Sequence, residues 1–247
     1  MPQIFPHENL HVYSHALNFA KFAAALIDCW LPVFAVCDQL DRATESIVTN
    51  LVKAARLYAA PNRIQYLECS LGSVLECAAC LDVADRRHLI PAAQLHEGKQ
   101  MLQSIARMEV KLRQSWGRCL KEETESYGTN ASPYFLHESL TVYQRSLLMH
   151  EALDGLWESE RKLPRYVRRI DEMSTSLTIN IAEGNGRFSK VDHNKFVSIA
   201  EDAGTKLAAY LDLTAATALW KSDAAKACLR EVMAMLGGLR GYLEREG

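Results

Sequence analysis

The sequence predicts an all-α fold built from two tandem antiparallel four-helix bundles. Apolar residues recur at intervals of three and four over long stretches, which is the spacing of one face of an α-helix. Glycine and proline are scarce, at 12 and 7 of 247 residues, so few of the turns that many short strands would need are available. Similar residues also return after a fixed interval, which indicates two related units.

The repeat has an offset of 130 residues and is clearest in two segments. Near the start of each unit, the matching residues are Phe5, His7, Glu8, Leu10 and Tyr13, then Phe135, His137, Glu138, Leu140 and Tyr143. Further along, Ser46 and Asn50 return as Ser176 and Asn180. The predicted domains are a first bundle over residues 1–124, a linker over 125–134 and a second bundle over 135–247.

The apolar spacing and the proline positions divide each unit into four helices. In the first unit, Pro32, Pro61 and Pro91 separate the periodic stretches, because proline ends a helix or occupies its first turn. In the second unit, Ser189 with Asp192 is expected to open a helix, because a serine three residues before an acid can cap free amides. The predicted helices span about 8–30, 33–60, 61–85 and 91–123, then 138–160, 164–183, 189–219 and 222–245.

Composition narrows the class of protein without indicating an activity. The net charge is −2, which argues against a strongly basic protein that coats nucleic acid but permits local basic stripes. Seven cysteines, an odd number without a disulfide spacing, indicate a reducing interior. No run approaches the ~18 apolar residues of a membrane span. The N-terminus also lacks the pattern of a signal peptide, so we expect a cytoplasmic location.

The segment from Ser176 to Gly184 carries the most distinctive pattern. On a helical wheel, Asn180 lies at the margin of the apolar face, where a half-buried amide can fix the register of a helical bundle. Gly184, followed by Asn185 and Gly186, supplies residues that tolerate the left-handed conformation and can close the helix. The matching Asn50 in the first unit favours a structural role for both amides.

These segments resemble a known family, usually called four-helix bundle protein. The residues concerned are Ser176, Asn180 to Gly184, Gly186, Arg187 and Phe196 to Ala200 in the second unit, with Asp38 to Ile47 and Leu71 to Glu76 in the first. The family includes intervening-sequence proteins encoded within large-subunit ribosomal RNA genes and accessory variability proteins of diversity-generating retroelements. The resemblance covers nearly the whole chain, once per half, and implies the bundle fold for each unit.

The resemblance also implies partners and an assembly. Members of the family form rings, and the retroelement accessory proteins are thought to assemble as pentamers that contact a reverse transcriptase and nucleic acid. Five units cannot be made from whole chains that each carry two. We therefore expect either a monomer that acts as a pseudo-dimer or an assembly with an even number of bundle units.

Two charge substitutions separate the chain from the family pattern. Where the family has glutamate, the first unit has Lys53 and the second has Lys206, while Glu76 and Glu183 keep the acid. We predict that each lysine pairs with the glutamate of its own unit, Lys53 with Glu76 and Lys206 with Glu183. The alternative is that the pairs form between units. An exposed pair contributes roughly 0–1 kcal/mol, so it would set geometry more than stability.

No set of residues predicts an enzyme. His7, His11 and His15 share a helix face near Glu8, but the second unit keeps only His137. One Glu-x-x-His motif is present where a di-metal bundle needs two. The chain also has no nucleophile motif and no glycine-rich phosphate loop. We therefore expect no catalytic residues, no metal and no cofactor.

Basic stripes are the candidates for a binding surface. The expected nucleic-acid-binding residues are Arg161, Arg165, Arg168, Arg169, Arg187 and Lys190, with a second line at Lys99, Arg107, Lys111 and Arg118. Such stripes can follow a phosphate backbone without reading bases. We expect a non-enzymatic accessory or adaptor protein that binds RNA or DNA, a nucleic-acid enzyme such as a reverse transcriptase, or both. The alternative is a structural scaffold that binds only protein through its bundle surfaces.

Overall fold

The computed structural model describes residues 5–57, 60–116, 133–157, 166–217 and 223–245. All regular secondary structure within these ranges is helical, which confirms the predicted all-α class. No helix of these ranges is both long enough and apolar enough to cross a membrane. The α-helices are α1 (His11–Ile27), α2 (Ala35–Arg56), α3 (Ala60–Arg86), α4 (Ala92–Trp116), α5 (Thr141–Leu153), α6 (Val167–Asn185), α7 (Lys190–Thr217) and α8 (Asp223–Arg245). Three short 3₁₀ helices are η1 (Pro6–Asn9), η2 (Leu136–Ser139) and η3 (Asp154–Leu156).

Most helix positions agree with the sequence pattern. Pro61 lies in the first turn of α3, and Pro91 directly precedes α4, as their fixed backbone geometry predicts. The fifth helix is shorter than predicted, because α5 ends at Leu153 and η3 follows it. Most of the predicted linker, residues 125–132, lies outside the described ranges.

Of the residues predicted to close α6, Gly186 ends the helix without a left-handed conformation, and Gly184 does not end it. This residue lies inside α6, and no described glycine has a positive φ. The helix is instead followed by Gly186 at an ordinary φ of −88°. Gly184 is buried against the start of α7, where an added Cβ atom would lie 3.0 Å from Phe196 Cβ. Glycine at this position therefore lets α6 and α7 pack closely together, and it does not mark the end of α6.

Helices contact one another in the same order in the two parts of the chain. We call the described residues 5–116 the first half and residues 133–245 the second half. In the first half each helix packs on the next and α4 returns to α1; in the second half each packs on the next and α8 returns to α5. Between the halves, α3 packs on α5 and α6, and α2 packs on α6.

The third helix is therefore covered on two sides. From Ser70 to Leu81, every residue of α3 except Glu76 is buried. Small side chains such as Cys77 and Cys80 allow neighbouring helices to approach closely, and both cysteines are free thiols. The junction between the halves is built around this helix.

Candidate functional site at the junction of the two halves

The end of α6 lies directly against α3. A Cβ atom on Gly72 would lie 2.7 Å from Arg187 Nη2, and a Cβ atom on Gly186 would lie 1.8 Å from Leu75 Cδ1. Atoms at these distances overlap, so a side chain at either position would displace its neighbour. The end of the flexible Arg187 side chain can move away from position 72, whereas the buried Leu75 leaves little room for a side chain at position 186. The residues that carry the family resemblance in the two halves thus meet in a single contact.

Replacing Gly186 by alanine is expected to lower the free energy of unfolding by about 1–3 kcal/mol, because the new methyl group overlaps Leu75 in a filled contact. Gly237 on α8 is the matched control, since a Cβ atom there meets nothing within 4 Å. Alanine at that helical position should stabilise the chain by up to about 1 kcal/mol. Chemical denaturation measures both variants, and equal stabilities would contradict a tight contact between α3 and α6.

Two glutamates are brought together at the same contact. Burial, with a further contribution from the carboxylate of Glu183, raises the pKa of Glu76 to about 7, although Arg42 and Arg187 act in the opposite direction. Burial also raises the pKa of Glu183, which Arg187 binds directly. Near neutral pH a proton on Glu76 relieves the repulsion between the two acids.

The predicted pair of Lys206 with Glu183 does not form. Lys206 Nζ binds Asp202 at 2.6 Å, one turn earlier on the exposed side of α7. Glu183 binds Arg187, one turn later in the chain. The prediction placed both residues inside one bundle, whereas the end of α6 faces α3 of the other half.

The predicted pair of Lys53 with Glu76 is also absent. Lys53 is exposed, and its Nζ lies 5.6 Å from the centroid of the Tyr66 ring. The carboxylate of Glu183, across the junction, is instead close enough to raise the pKa of Glu76. The two acids therefore lie near the contact between the halves, and the two lysines are exposed.

Asn50 and Asn180 occupy equivalent positions in the two halves, and each side chain forms hydrogen bonds within its own helix. Asn50 Nδ2 donates to the carbonyl oxygen of Ser46 at 2.9 Å, and Asn180 Nδ2 donates to that of Ser176 at 2.7 Å. In the first half the hydrogen bonds continue to α3, because Ser73 Oγ donates to Ser46 Oγ at 2.7 Å. The role of these amides in setting helix register stays a prediction.

A buried ion pair joins the end of α3 to the start of α6. Arg87 Nη2 donates to Asp171 Oδ1 at 2.7 Å, and the two side chains are 2% and 3% exposed. Asp171 Oδ2 also accepts the backbone N–H of Ala35 at 2.7 Å, at the start of α2. Burial lowers the pKa of Arg87 and raises that of Asp171, and each charge opposes the shift of the other. This pair fixes three helices to one another.

A second polar cluster lies in a groove of about 410 Å³ between the halves. The buried Lys99 donates to Asp82 Oδ2 at 2.6 Å and to Glu138 Oε1 at 2.9 Å. Tyr143 Oη donates to the same Asp82 oxygen at 2.7 Å. Burial alone would lower the pKa of Lys99, but the two carboxylates raise it overall, so the lysine keeps its charge. The cluster holds η2 of the second half against α3 and α4 of the first.

Three potential metal ligands meet beside Lys99. One ligand atom each from Asp82, His137 and Glu138 lies within 4.8 Å of the others, and no other such group occurs in the described part of the chain. Burial and the charge of Lys99 hold the pKa of His137 well below its usual value, so its ring is neutral. The Lys99 ammonium bridges the two carboxylates and takes the place that a cation would need. The absence of a metal stays a prediction.

A further acid is buried within the first half. Glu109 on α4 is 1% exposed. Its Oε1 accepts a hydrogen bond from Ser70 Oγ at 2.5 Å, and its Oε2 has no hydrogen-bond partner among the described residues. Burial raises the pKa of Glu109 to about 8, against the lowering effect of the Ser70 hydrogen bond. The carboxyl group is therefore mostly protonated at neutral pH.

Only part of the predicted nucleic-acid surface can be placed. Arg118, Arg161 and Arg165 lie outside the described residues. Arg168 and Arg169 are exposed at the start of α6, where Arg169 binds Glu172 at 2.7 Å. Lys190 is exposed at the start of α7, whereas Arg187 is half-buried in the contact with α3. Lys99 was predicted to lie in a surface stripe but is buried. Its charge can be buried because it pairs with the carboxylates of Asp82 and Glu138.

Basic and aromatic side chains meet where α2, α4 and α6 end and α3 and α7 begin. The contacts are Lys53 with Tyr66, Arg63 with Trp116, Arg113 with Phe188 and Arg187 with Phe196, at 3.5 to 5.6 Å from the charged group to the ring centroid. We call these residues, with the exposed Lys111, Lys190 and Lys195, the basic end. The acids beside them are Glu68, Glu183 and Asp192. The grouping could not be predicted from the sequence, because its members come from the ends of five helices that only the fold brings together.

The architecture defines an all-helical protein whose halves are joined through buried charged groups. Residues 8–111, from before α1 to near the end of α4, match the family model for 23S rRNA-intervening sequence protein. The match covers less than half of the chain and lies in its first half. No curated protein and no solved structure matches the chain. The resemblance to intervening-sequence proteins is thus confirmed for residues 8–111, and the resemblance to retroelement accessory proteins stays a prediction.

Proposed function

We propose that the chain is a non-enzymatic accessory protein that binds the phosphate backbone of a nucleic acid through the basic end. The observation that carries the proposal is the gathering of four cation–aromatic contacts at one place. Cations neutralise phosphates, and aromatic rings offer stacking surface to unpaired bases. Because the net charge is −2, the attraction must come from local charge and not from the whole molecule.

RNA is the first nucleic acid to test. The matched family is named for intervening sequences of 23S rRNA, and the matched residues include Lys53, Arg63 and Lys111 of the basic end. A nucleic-acid enzyme such as a reverse transcriptase is a further proposed partner. That part rests on the resemblance to accessory variability proteins of diversity-generating retroelements. The cytoplasm is the proposed location.

We also propose that the chain is a tandem duplication of one antiparallel four-helix bundle, with units at 1–124 and 135–247. The helices of both halves follow one another in the same order of contacts. The hydrogen bonds of Asn50 and Asn180 recur at equivalent positions. Phe5 stacks on His7 as the equivalent Phe135 and His137 stack on each other. These repeated local geometries support a common origin of the units.

Changing both Lys53 and Lys195 to glutamate is expected to weaken RNA binding and to flatten its salt dependence. Both side chains are exposed at the basic end. Loss of two phosphate contacts should reduce the slope of log K against log salt by about 1.4 for single-stranded RNA. Titrations of fluorescently labelled single-stranded RNA, from low to moderate salt, measure the change.

The matched control changes Lys21 and Arg168 to glutamate, which alters the net charge equally. Both residues are exposed and lie outside the basic end, and Arg168 also belongs to the arginine cluster predicted from the sequence. An equal or larger loss in the control would contradict binding at the basic end. If the natural chain binds no RNA or DNA at low salt, the alternative of a scaffold that binds only protein is favoured.

A further inference from the structure

A small pocket opens at the basic end, between the end of α6 and the start of α7. Its volume is about 240 Å³. Pockets that hold drug-sized ligands measure ~300–1,000 Å³, so this one suits a single flat group of the size of a nucleobase. The residues that line it are Glu68, Gly186, Arg187, Phe188, Ser189 and Asp192. We call it the Phe188 pocket.

An aromatic ring of this pocket is open to solvent. Phe188 lies between α6 and α7 and is 47% exposed. The guanidinium of Arg113 lies 4.0 Å from the centroid of the ring, and Arg113 Nε donates to Glu68 at 2.9 Å. The bond to Glu68 holds the arginine against the ring, and the exposed part of the ring is left for another group. Stacking on an aromatic ring is a common way for a protein to hold an unpaired base.

The pocket also has a carboxylate without a partner. Asp192 is exposed in the first turn of α7, and its carboxylate makes no hydrogen bond or ion pair within the described part of the chain. Its backbone N–H donates to Ser189 Oγ at 3.4 Å, which leaves the proton of the Ser189 hydroxyl for another acceptor. A carboxylate in a first turn stabilises the helix, and here it also gives the pocket two acceptor oxygens.

These groups match the pairing edge of one RNA base. A carboxylate accepts two hydrogen bonds best from two donors that lie side by side. Guanine has such a pair, N1–H and the N2 amino group, with the acceptor O6 beside them. Adenine and cytosine each place an acceptor nitrogen next to the amino donor, and uracil has a carbonyl on each side of its only donor. Those acceptors would face a carboxylate oxygen, which repels them.

We propose that the Phe188 pocket binds an unpaired guanine base of single-stranded RNA. The base stacks on Phe188, its N1–H and N2 amino group donate to Asp192, and its O6 accepts the proton of Ser189. The lysines of the basic end bind the flanking phosphates. The inference rests on the proposed function and adds a preference for one base, which contacts to the phosphate backbone do not provide.

The base preference is measured with short labelled oligouridylates that carry one central guanosine, adenosine or inosine. The guanosine strand is expected to bind the natural chain about tenfold more tightly than the adenosine strand, because adenine lacks the paired donors. Inosine keeps N1–H and O6 but has no N2 amino group, so its strand is expected to bind with intermediate affinity. Equal affinities for the three strands overturn the proposal.

Asp192→Asn separates recognition of the base from the general effect of charge. Asparagine has one acceptor oxygen in place of two, so the preference for guanosine over adenosine is expected to fall to about twofold or less. Binding of plain oligouridylate is expected not to weaken, because the substitution removes a negative charge near the phosphates. An unchanged guanosine preference in this variant contradicts the contact with Asp192.

Asp28→Asn is the matched control for this substitution. Asp28 is exposed after the end of α1, near the start of α2 and away from the basic end. The control is expected to keep the full preference for guanosine. A loss of preference as large as that of Asp192→Asn would show that the effect does not come from the Phe188 pocket.

Two substitutions of Phe188 test the stacking. Phe188→Leu is expected to weaken binding of the guanosine strand by about tenfold, because the base loses its aromatic partner. Phe188→Trp keeps an aromatic ring and is expected to retain the binding. Circular dichroism and thermal unfolding establish that each variant is folded. Tight binding of the guanosine strand by a folded Phe188→Leu variant would contradict stacking on this ring.

Failure of this inference differs from failure of the proposed function. If the natural chain binds all strands equally and binding weakens steeply with salt, contacts to the phosphate backbone remain and only guanine recognition is overturned. If it binds no strand at low salt, both the proposed function and this inference are overturned.

Discussion

Replacing Asp171 by alanine is expected to lower the free energy of unfolding by about 3–5 kcal/mol, because the buried guanidinium of Arg87 loses its partner. The backbone N–H of Ala35 loses its acceptor in the same step. Asp154 lies 3.9 Å from Arg87 Nη1 but is partly exposed, so it does not replace the lost carboxylate. Urea denaturation followed by circular dichroism measures the change.

Two further variants show whether the loss of stability comes from an unpaired buried charge or from substitution in general. The double variant Arg87→Met with Asp171→Leu is expected to recover most of the stability, because it leaves no uncompensated charge. Arg169→Ala removes an exposed pair with Glu172 and should change stability by only about 0–1 kcal/mol. A loss from Asp171→Ala as small as that of Arg169→Ala would be inconsistent with a buried pair at the junction.

Replacing Glu109 by glutamine is expected to remove a large part of the stability loss that accompanies a rise in pH. Burial raises the pKa of this carboxyl from 4.5 to about 8, so the folded chain holds a proton that the unfolded chain releases. The contribution is complete below the unfolded pKa and is lost as pH rises toward the folded one, by on the order of 4 kcal/mol. Glutamine keeps an acceptor for Ser70 and has no proton to lose.

Denaturation midpoints measured at several pH values between about 5 and 9 test this expectation. Glu97→Gln on the same helix is the control, because Glu97 is exposed and its replacement should leave the pH profile unchanged. Some pH dependence near neutrality is expected to remain in Glu109→Gln, since the pKa of Glu76 is also raised, to about 7. Identical profiles for the natural chain and Glu109→Gln would show that this carboxyl does not carry the buried proton.

The helices could be predicted because their signals are local. The spacing of apolar residues and the positions of Pro61 and Pro91 depend only on nearby chain, and they located the starts of α3 and α4 to within one residue. The role of Gly184 could not be predicted, because it depends on a helix that is not nearby in the sequence pattern. The sequence shows that a glycine there is flexible. It does not show that α7 packs so closely on this position that a small residue is needed.

The buried ionisable groups could not be predicted, because their partners are distant in the chain. Lys99 binds Glu138, and Glu109 binds Ser70, each across 39 residues. On the amphipathic α4 both charged residues look like members of a solvated face. The acids Glu76 and Glu183 were expected to face lysines, because the sequence does not say which side of α3 meets the other half.

The burial of α3 on two sides has a consequence for the order in which the chain is made. Synthesis completes the first half before α6 exists, so the side of α3 that carries Gly72 and Leu75 faces water until the second half emerges from the ribosome. An uncovered apolar helix face on a partly made chain favours aggregation. This side of α3 is therefore exposed to water until residues 133–185 have been synthesised. In a fragment that stops at residue 116, it stays exposed.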